Sequence, residues 1–587
     1  MRKRWQGELI VLSLAAAIFL GSVSAPPHLF DDVDASFAQI GRVMLQSGDW
    51  VTPRLDGVRD MEKPPLLFWL MGLSYRVFGV NDWAARIPLA LGAVILCWLT
   101  VRFGSWAFGL KGGFYAGLVL VSSLGLYLFT RILFLDGLLT VAITASLYCF
   151  VRTLEPDEKR HRQWALGLGA ALGVGLLAKG LIALALPIGA GVAYLIFTRQ
   201  LDLQYLRTRL HPLLTVTVML IIAAPWHIVA AIRNPPLFTF TLHSGPGQYH
   251  GFLWFYFINE QILRFLNLRY PRDYSTVPRS YFWLLNLLWM FPWSVYAPAV
   301  TRLRFSPMDR AGRIRLLCLC WAGFLLVFFT FSTTQEYYSM SCYPAFALLL
   351  GSALDAGGVW VRRATQFLTV LLGSALLALL IIFFAVRNLP ATGDISAVLQ
   401  QHPEDYYLSL GHFHDLTLAS FAYLRAPLLL AGAALAVGIV GALWGGKRTV
   451  FALVLMVAVF EFAARRAMTV FDPYLSSEPL AEAITKSLDG EIIIDGEYYP
   501  FSSIFFYSNR SALLLNGRQN DLEYGSYAPD APRVYIDDED FVRLWQSSGR
   551  FYFVTDGTSV TRLRKVAGLS TFHHVTTIGG KSLFTNH

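Results

Sequence analysis

The chain has 587 residues, 55% of them hydrophobic and only 15% charged, whereas a soluble domain averages about 45–50% apolar and about 25% charged residues. With 43 Phe, 26 Tyr and 16 Trp and no Gly-X-Y period, disorder and collagen are excluded. The 5 cysteines exclude a disulfide scaffold, since Cys97, Cys149, Cys318 and Cys320 lie inside long apolar runs and Cys342 at the start of another. This is the composition of a polytopic membrane protein rather than of the four or so soluble domains that the length alone would suggest, and the formal net charge of +9 takes its meaning from where the charges sit.

A helix crosses the hydrocarbon core with about 20 mostly apolar residues. Thirteen stretches qualify, at roughly 8–25, 83–101, 113–130, 133–151, 164–181, 182–198, 211–231, 281–300, 316–332, 341–356, 365–386, 426–444 and 449–465. The first also has the layout of a signal peptide, with Arg2-Lys3-Arg4, an apolar run and Ser22-Val23-Ser24-Ala25; its retention as a first helix is the expectation. Basic segments mark cytoplasmic loops. Met1-Arg2-Lys3-Arg4, Glu158-Lys159-Arg160-His161-Arg162, the 302–315 loop, Arg362-Arg363 and Lys447-Arg448 all fall on one side if the N-terminus is inside. The segment 27–82, with eight acids against five bases, falls on the other. The positive charge is therefore mostly topological, and nucleic acid is excluded as a partner.

Four long polar stretches, 26–82, 232–280, 387–425 and the tail from about 466, share the outer face. Chemistry is expected there, on loops held by a rigid scaffold. The tail reads as a small α/β domain. Glu491–Asp495, Ala512–Leu515, Val534–Ile536 and Phe551–Val554 are short strand-like runs; 478–488 and 538–547 have helical spacing, with Asp538 as N-cap. No phosphate-binding glycine fingerprint is present, and His573-His574 lacks a spaced third metal ligand, so it reads as a strand with two polar rings.

The densest polar constellation follows the first helix: Asp31-Asp32-Val33-Asp34, Ser47-Gly48-Asp49-Trp50, then Glu62-Lys63-Pro64-Pro65. Clustered carboxylates raise one another's pKa, which suits a general base toward an acceptor hydroxyl or amine. An ordinary solvated acidic loop and a cation site are the competing readings. The prolines hold the Glu62-Lys63 pair on a rigid backbone, with Leu66–Leu70 lying along the interface and Trp69 in the headgroup belt; a fixed lysine there suits a lipid phosphate, or else snorkels from an interfacial anchor. Ionisable groups in or near the membrane are costly and default to functional hypotheses. Here they are Arg131 and Asp136 around a tight turn, Lys179, the Glu260/Arg264 pair at i,i+4 spacing, and Gln335-Glu336-Tyr337-Tyr338.

These residues carry a family resemblance. Asp32-Val33-Asp34-Ala35-Ser36-Phe37-Ala38-Gln39-Ile40, Ser47 to Pro53, Gly57 and Glu62-Lys63-Pro64-Pro65 are similar to bacterial polyprenyl-phosphate-sugar glycosyltransferases, the membrane GT-C enzymes of the protein O-mannosyltransferase and aminoarabinose-lipid A transferase superfamily. Weaker matches follow in order: Arg131 with Asp136, Ala178-Lys179-Gly180, Ala224-Pro225-Trp226, Asn259-Glu260 with Arg264-Phe265, and Phe331-Ser332 ahead of Tyr343-Pro344. The resemblance implies a GT-C fold of about 13 transmembrane helices over 1–465 and an α/β periplasmic domain over 466–587, in a bacterial inner membrane with the N-terminus cytoplasmic.

It further implies inverting transfer of a hexosyl or pentosyl group from a polyprenyl-phosphate donor to a lipid, glycan or protein acceptor. Asp32 or Asp34, with Asp32 slightly preferred, serves as base, and Glu62 lines the same cavity. Lys63, Arg264 and Arg131 hold the donor phosphate. Asp136 orients Lys63 or Arg131, and Glu260, Tyr337 and Tyr338 support the site. No cofactor is required and no metal is assigned, although a divalent cation is compatible with the acids. Two departures leave the sugar and acceptor open: Gln335-Glu336-Tyr337-Tyr338 replaces the family's lysine-containing motif, and Glu260-Gln261 stands where aminoarabinose transferases often carry Glu-His. The alternative from another class is a transporter or flippase for a lipid-linked saccharide, which would show internal repeats and broken helices at the midplane; no convincing repeat is found.

Overall fold

The computed structural model describes residues 2–272, 276–402, 406, 408–556, 560–563 and 572–587. Small parts of the 232–280 and 387–425 loops and of the tail lie outside the described residues.

All thirteen apolar stretches fall on helical structure. Six helices are long and apolar enough by themselves to cross a membrane: Asp82–Phe108, Asp136–Leu154, Pro212–Arg233, Arg310–Thr330, Val359–Val386 and Arg425–Trp444. A seventh arises if Leu110–Val121 and Leu124–Arg131, bent by 51°, are one span. The chain is thus a multi-pass, mainly helical membrane protein. Val359–Val386 is apolar around its whole circumference and exposes Phe367, Val370, Leu377, Ile381 and Phe384, the surface of a helix that meets lipid.

The two crowded boundaries have local causes. Ile132 leaves the helix in an extended conformation before Asp136 starts the next one. His161–Lys179 ends at Gly180, whose φ of 74° and the Tyr256 hydroxyl 2.7 Å from where a Cβ would stand admit no side chain. Lys447–Leu475 continues well past the end of its apolar stretch, through Arg465-Arg466, and leads directly into the C-terminal domain.

That domain is a six-stranded sheet in the order Tyr535–Ile536, Ala512–Leu515, Glu491–Asp495, Phe551–Thr555, Lys581–Thr585, His573–Ile578. The first four strands run parallel and the last two antiparallel. Each run expected as a strand lies in the sheet, and His573-His574 opens its edge strand as two exposed rings. The Asp538–Trp545 helix is capped by Asp537, whose side chain accepts from the Asp540 N–H, and not by Asp538, which is already in the first turn.

Both faces of the sheet are covered, which explains its unbroken apolar strands. Ile493, Leu515 and Phe553 pack with Phe541 and Trp545 on one face. Ile492, Ile494, Leu514 and Val554 pack on the other with Leu29, Met44, Leu55, Val58 and Phe68 of the first polar loop. In that loop the Val33–Ser47 helix stops at Gly48 (φ 70°), and Asp49 then turns the chain by accepting from Val51 and Thr52 N–H. Ion pairs fasten the loop to the sheet domain: Asp31 with Lys581 at 2.6 Å and Arg59 with Asp530 at 2.6 Å.

Candidate active site

The three acids at the start of the first loop separate completely. Asp31 is structural: it accepts from Lys581, from Ser477 Oγ at 2.6 Å and from Ser503 N–H at 2.8 Å. Asp32 is solvent-exposed in a strained conformation (φ 70°), its N–H donating to Tyr499 of the sheet domain. Asp34 is buried in the Val33–Ser47 helix. Its Oδ1 accepts from Leu133 N–H at 2.6 Å, and its Oδ2 lies 3.7 Å from Arg86. Burial raises its pKa against the opposing pull of Arg86 and Arg131. Arg131 donates to the Pro27 carbonyl at 3.1 Å, within electrostatic reach of this carboxylate, whereas it was expected to join Lys63 and Arg264.

Glu62 and Lys63 form the second centre. Lys63 donates to Glu62, and Arg264 donates to both Glu62 (2.6 Å) and Glu260 (2.8 Å). The predicted Glu260/Arg264 pair therefore exists, but Arg264 also bridges to Glu62, some two hundred positions earlier in the chain. The supporting helix is a π-helix, Trp254–Leu263, and the Arg264 N–H closes on Asn259. Burial alone would raise Glu62, but Lys63, Arg264 and Arg269 outweigh it and hold its carboxyl well below the usual range. Burial opposes the charge on Lys63 too, yet Glu62 lifts its pKa above the ordinary value.

Arg269 stands behind this pair. It is fully buried, donates to Glu260, to Asp521 of the sheet domain and to the Pro271 carbonyl at 2.8 Å, and lies 4.0 Å from Glu62. Asn259 holds it there by clipping the backbone of Tyr270 with both ends of its amide, at 2.6 and 3.0 Å. Carboxylate oxygens of Glu62, Glu260 and Asp521 all lie within 4.8 Å of one another. They form the one group of acidic, His or Cys ligands close enough to hold a cation among the described residues, and it is the group that Arg264 and Arg269 engage.

A third set joins the two centres. Asp136 pairs with Lys179 at 2.5 Å. This corrects the expectation that Asp136 orients Lys63 or Arg131: Asp136 starts one helix and Lys179 ends the next, antiparallel one, so the hairpin itself brings them together. Lys179 lies 4.4 Å from the Tyr338 ring and 5.4 Å from Tyr337, and Tyr337 stacks on Phe134 at 4.1 Å. Burial, then Tyr338, Asp136 and Glu62, raise the Tyr337 pKa, with Arg264 opposing, so this ring sits within electrostatic reach of both clusters. Glu336 is turned away from them; buried, it accepts from Ser409 N–H at 3.3 Å.

Sequence reasoning missed Arg269, Asp521 and Asp60. Asp60 accepts from the Glu62 N–H at 3.2 Å, and burial, then the neighbouring Glu62 charge, raises its pKa to about 7. Asp60 stands two residues before Glu62 in the first loop, the only signal that could have flagged it.

Residues 62–229 match the dolichyl-phosphate-mannose-protein mannosyltransferase family. The undecaprenyl phosphate-alpha-4-amino-4-deoxy-L-arabinose arabinosyl transferase of Aeromonas salmonicida is 27% identical over 88% of this chain and 87% of its own. One such transferase of Pseudomonas fluorescens is 30% identical over 65% and 62%. ArnT from Cupriavidus metallidurans, solved bound to undecaprenyl phosphate, superposes with a TM-score of 0.78 over 99% of this chain and 98% of that one, at 23% identity. The oligosaccharyltransferase of Archaeoglobus fulgidus gives 0.51 over 100% and 74%, at 11% identity. The overall architecture, bundle and sheet domain together, is therefore that of ArnT.

Proposed function

We propose that this chain, an ArnT-like membrane glycosyltransferase of the GT-C fold, takes a sugar from a polyprenyl-phosphate donor and passes it to a lipid, glycan or protein acceptor at the face carrying the first loop and the sheet domain. The observation that carries this reading is the convergence of Lys63 and Arg264 on Glu62. A polyprenyl phosphate gains negative charge as the glycosidic bond breaks, and two cations fixed in a buried site stabilise that charge without reorganising. Glu62 and Glu260 keep both cations aimed until the donor phosphate takes over part of their hydrogen bonds.

Arg269, itself held by Asp521, steadies the two glutamates from behind. Asp34, flanked by Arg86 and Arg131, ties the Val33–Ser47 helix to Leu133 and so to the Asp136–Lys179 corner. Asp32, exposed at the start of the first loop, takes the proton of an incoming acceptor as the acceptor's own atom bonds to the sugar carbon from the face opposite the leaving phosphate and so inverts it. The relatives named above, as 4-amino-4-deoxy-L-arabinose transferases, favour a pentose of that kind as the sugar.

The orientation belongs to the same proposal: thirteen spans over 1–465, the N-terminus cytoplasmic and the domain of 466–587 outside, in a bacterial inner membrane. The helical state of every apolar stretch and the alternation of basic connections support it. The sheet domain's ion pairs with the first loop support a common face for both. The test is transfer of radiolabelled sugar from defined polyprenyl-phosphate sugars into lipid and protein fractions by wild type, Asp32→Asn, Asp34→Asn and Lys63→Ala. Loss of transfer in Lys63→Ala and in at least one aspartate variant is expected. Full activity in all three, or solute uptake into proteoliposomes without transfer, overturns the reading.

A further inference from the structure

A cavity of about 520 Å³ lies at the other end of the bundle. Asp82–Phe108 and Asp136–Leu154 begin beside the candidate active site, where Arg86 meets Asp34 and Asp136 meets Lys179. The cavity forms where these helices end, against the start of His161–Lys179, and so at the opposite membrane face. Its walls carry four aromatic rings, Trp98, Trp106, Tyr148 and Trp164, and two cations, Arg102 and Arg152; no carboxylate lines it.

The Arg152 guanidinium stands 4.1 Å from the Trp164 ring centroid and 5.1 Å from that of Trp106. It donates to the Tyr148 hydroxyl at 3.1 Å and to Glu158, while its Nε is buried and has no partner among the described residues. Arg102 is a third exposed and reaches Glu8 only at 3.4 Å. Along the helices Trp98 lies one turn deeper than Arg102, and Tyr148 one turn deeper than Arg152. Trp98 and Tyr148 thus lie on the bilayer side of the cations, while Trp106 and Trp164 stand level with them or nearer the headgroups. Trp98 and Leu110 are exposed, so the cavity opens sideways onto the apolar surface of the bundle.

We propose that this cavity binds an anionic phospholipid of that leaflet, its phosphate against Arg102 and Arg152 and an acyl chain along Trp98. Three features select that occupant. The cations outnumber acids in the wall, since Arg102 and Arg152 line it and no carboxylate does, while the adjoining connection, with Glu155, Asp157 and Glu158 against Lys159, Arg160 and Arg162, adds no net charge. Guanidinium groups suit phosphate oxygens and pack on aromatic faces at the same time. Indole rings at this depth suit the boundary between headgroup and chain. A zwitterionic lipid would bring an ammonium group toward the same two cations and is disfavoured.

The test is native mass spectrometry of the full-length protein in detergent, with phosphatidylglycerol or phosphatidylcholine added. Wild type is expected to retain one more phosphatidylglycerol than phosphatidylcholine. Arg102→Gln/Arg152→Gln should weaken that retention about tenfold, the loss of one charge-assisted hydrogen bond or more, whereas Lys447→Gln/Arg448→Gln, at another basic connection, should retain it. Because Arg152 also packs inside the bundle, Arg102→Gln alone is run beside them and should weaken retention several-fold. Equal retention of the two lipids by wild type, unchanged retention in folded Arg102→Gln, or equal loss in the Lys447/Arg448 control would overturn the proposal.

Discussion

Arg269, buried in the second polar loop, donates to Asp521 of the C-terminal sheet domain and to Glu260 of the π-helix in its own loop, and lies 4.0 Å from Glu62 of the first loop, and so locks three separate parts of the chain into one ion-pair network. The sheet domain is therefore part of the site's framework. Asp521→Asn leaves a buried guanidinium short of one partner, a change that costs about 3–5 kcal/mol when a buried pair is broken. Thermal unfolding in detergent should fall by several degrees, with earlier proteolysis between the bundle and the tail. A melting temperature equal to wild type would mean that Arg269 needs only Glu260.

Asp60 titrates near neutrality beside Glu62. As pH rises through about 7 it ionises and adds a negative charge behind the groups proposed to meet the donor phosphate. The KM for the polyprenyl-phosphate sugar is therefore expected to rise between about pH 6 and 8, with kcat less affected, and Asp60→Asn should flatten that rise. A parallel pH profile in the variant would remove Asp60 from the account.

The Asp136–Lys179 pair is buried at its acidic end. Lys179→Met strands the carboxylate and should unfold the protein at markedly lower temperature, whereas Asp136→Asn/Lys179→Met, which removes both charges, should recover most of the loss. Additive effects of the two substitutions would indicate that the pair contributes no coupling.

Asp56 carries a different pH signature. Buried against the sheet domain, where Ala512 N–H reaches it at 3.4 Å, its carboxyl is raised to about 7. A carboxyl whose folded pKa lies above its unfolded value of 3.8 contributes stability that is present below that value and lost as pH rises toward 7. Asp56→Asn is expected to raise the melting temperature by about 2–4 °C at pH 8 and to leave it nearly unchanged at pH 4. The reverse ordering would contradict the burial argument.

Much of this molecule was legible locally. Apolar runs located the helices of all thirteen expected stretches, though not Val33–Ser47 or Leu203–Leu210, and the sheet's parallel strands were readable because both faces are buried. Glu62, Lys63, Glu260 and Arg264 stood out because charge is so scarce near the membrane. Partner choice was not legible. Asp31, Asp32 and Asp34 look equivalent in sequence, yet one grips Lys581, one faces solvent and one is buried on Leu133, a division imposed by where the sheet domain docks. Arg269 and Asp521 lie 252 positions apart, with no local pattern at either. Lys179 meets Asp136 only because two antiparallel helices end side by side.

Lys63 and Arg264 are the groups proposed to hold the donor phosphate. The most direct measurement is the inhibition constant of undecaprenyl phosphate against sugar transfer for wild type, Lys63→Gln and Arg264→Gln. A hydrogen bond to a charged group contributes about 1.5–3 kcal/mol, so each substitution is expected to raise that constant about 10-fold to 150-fold. Inhibition constants equal to wild type in both variants, with transfer still measurable, would contradict the assignment.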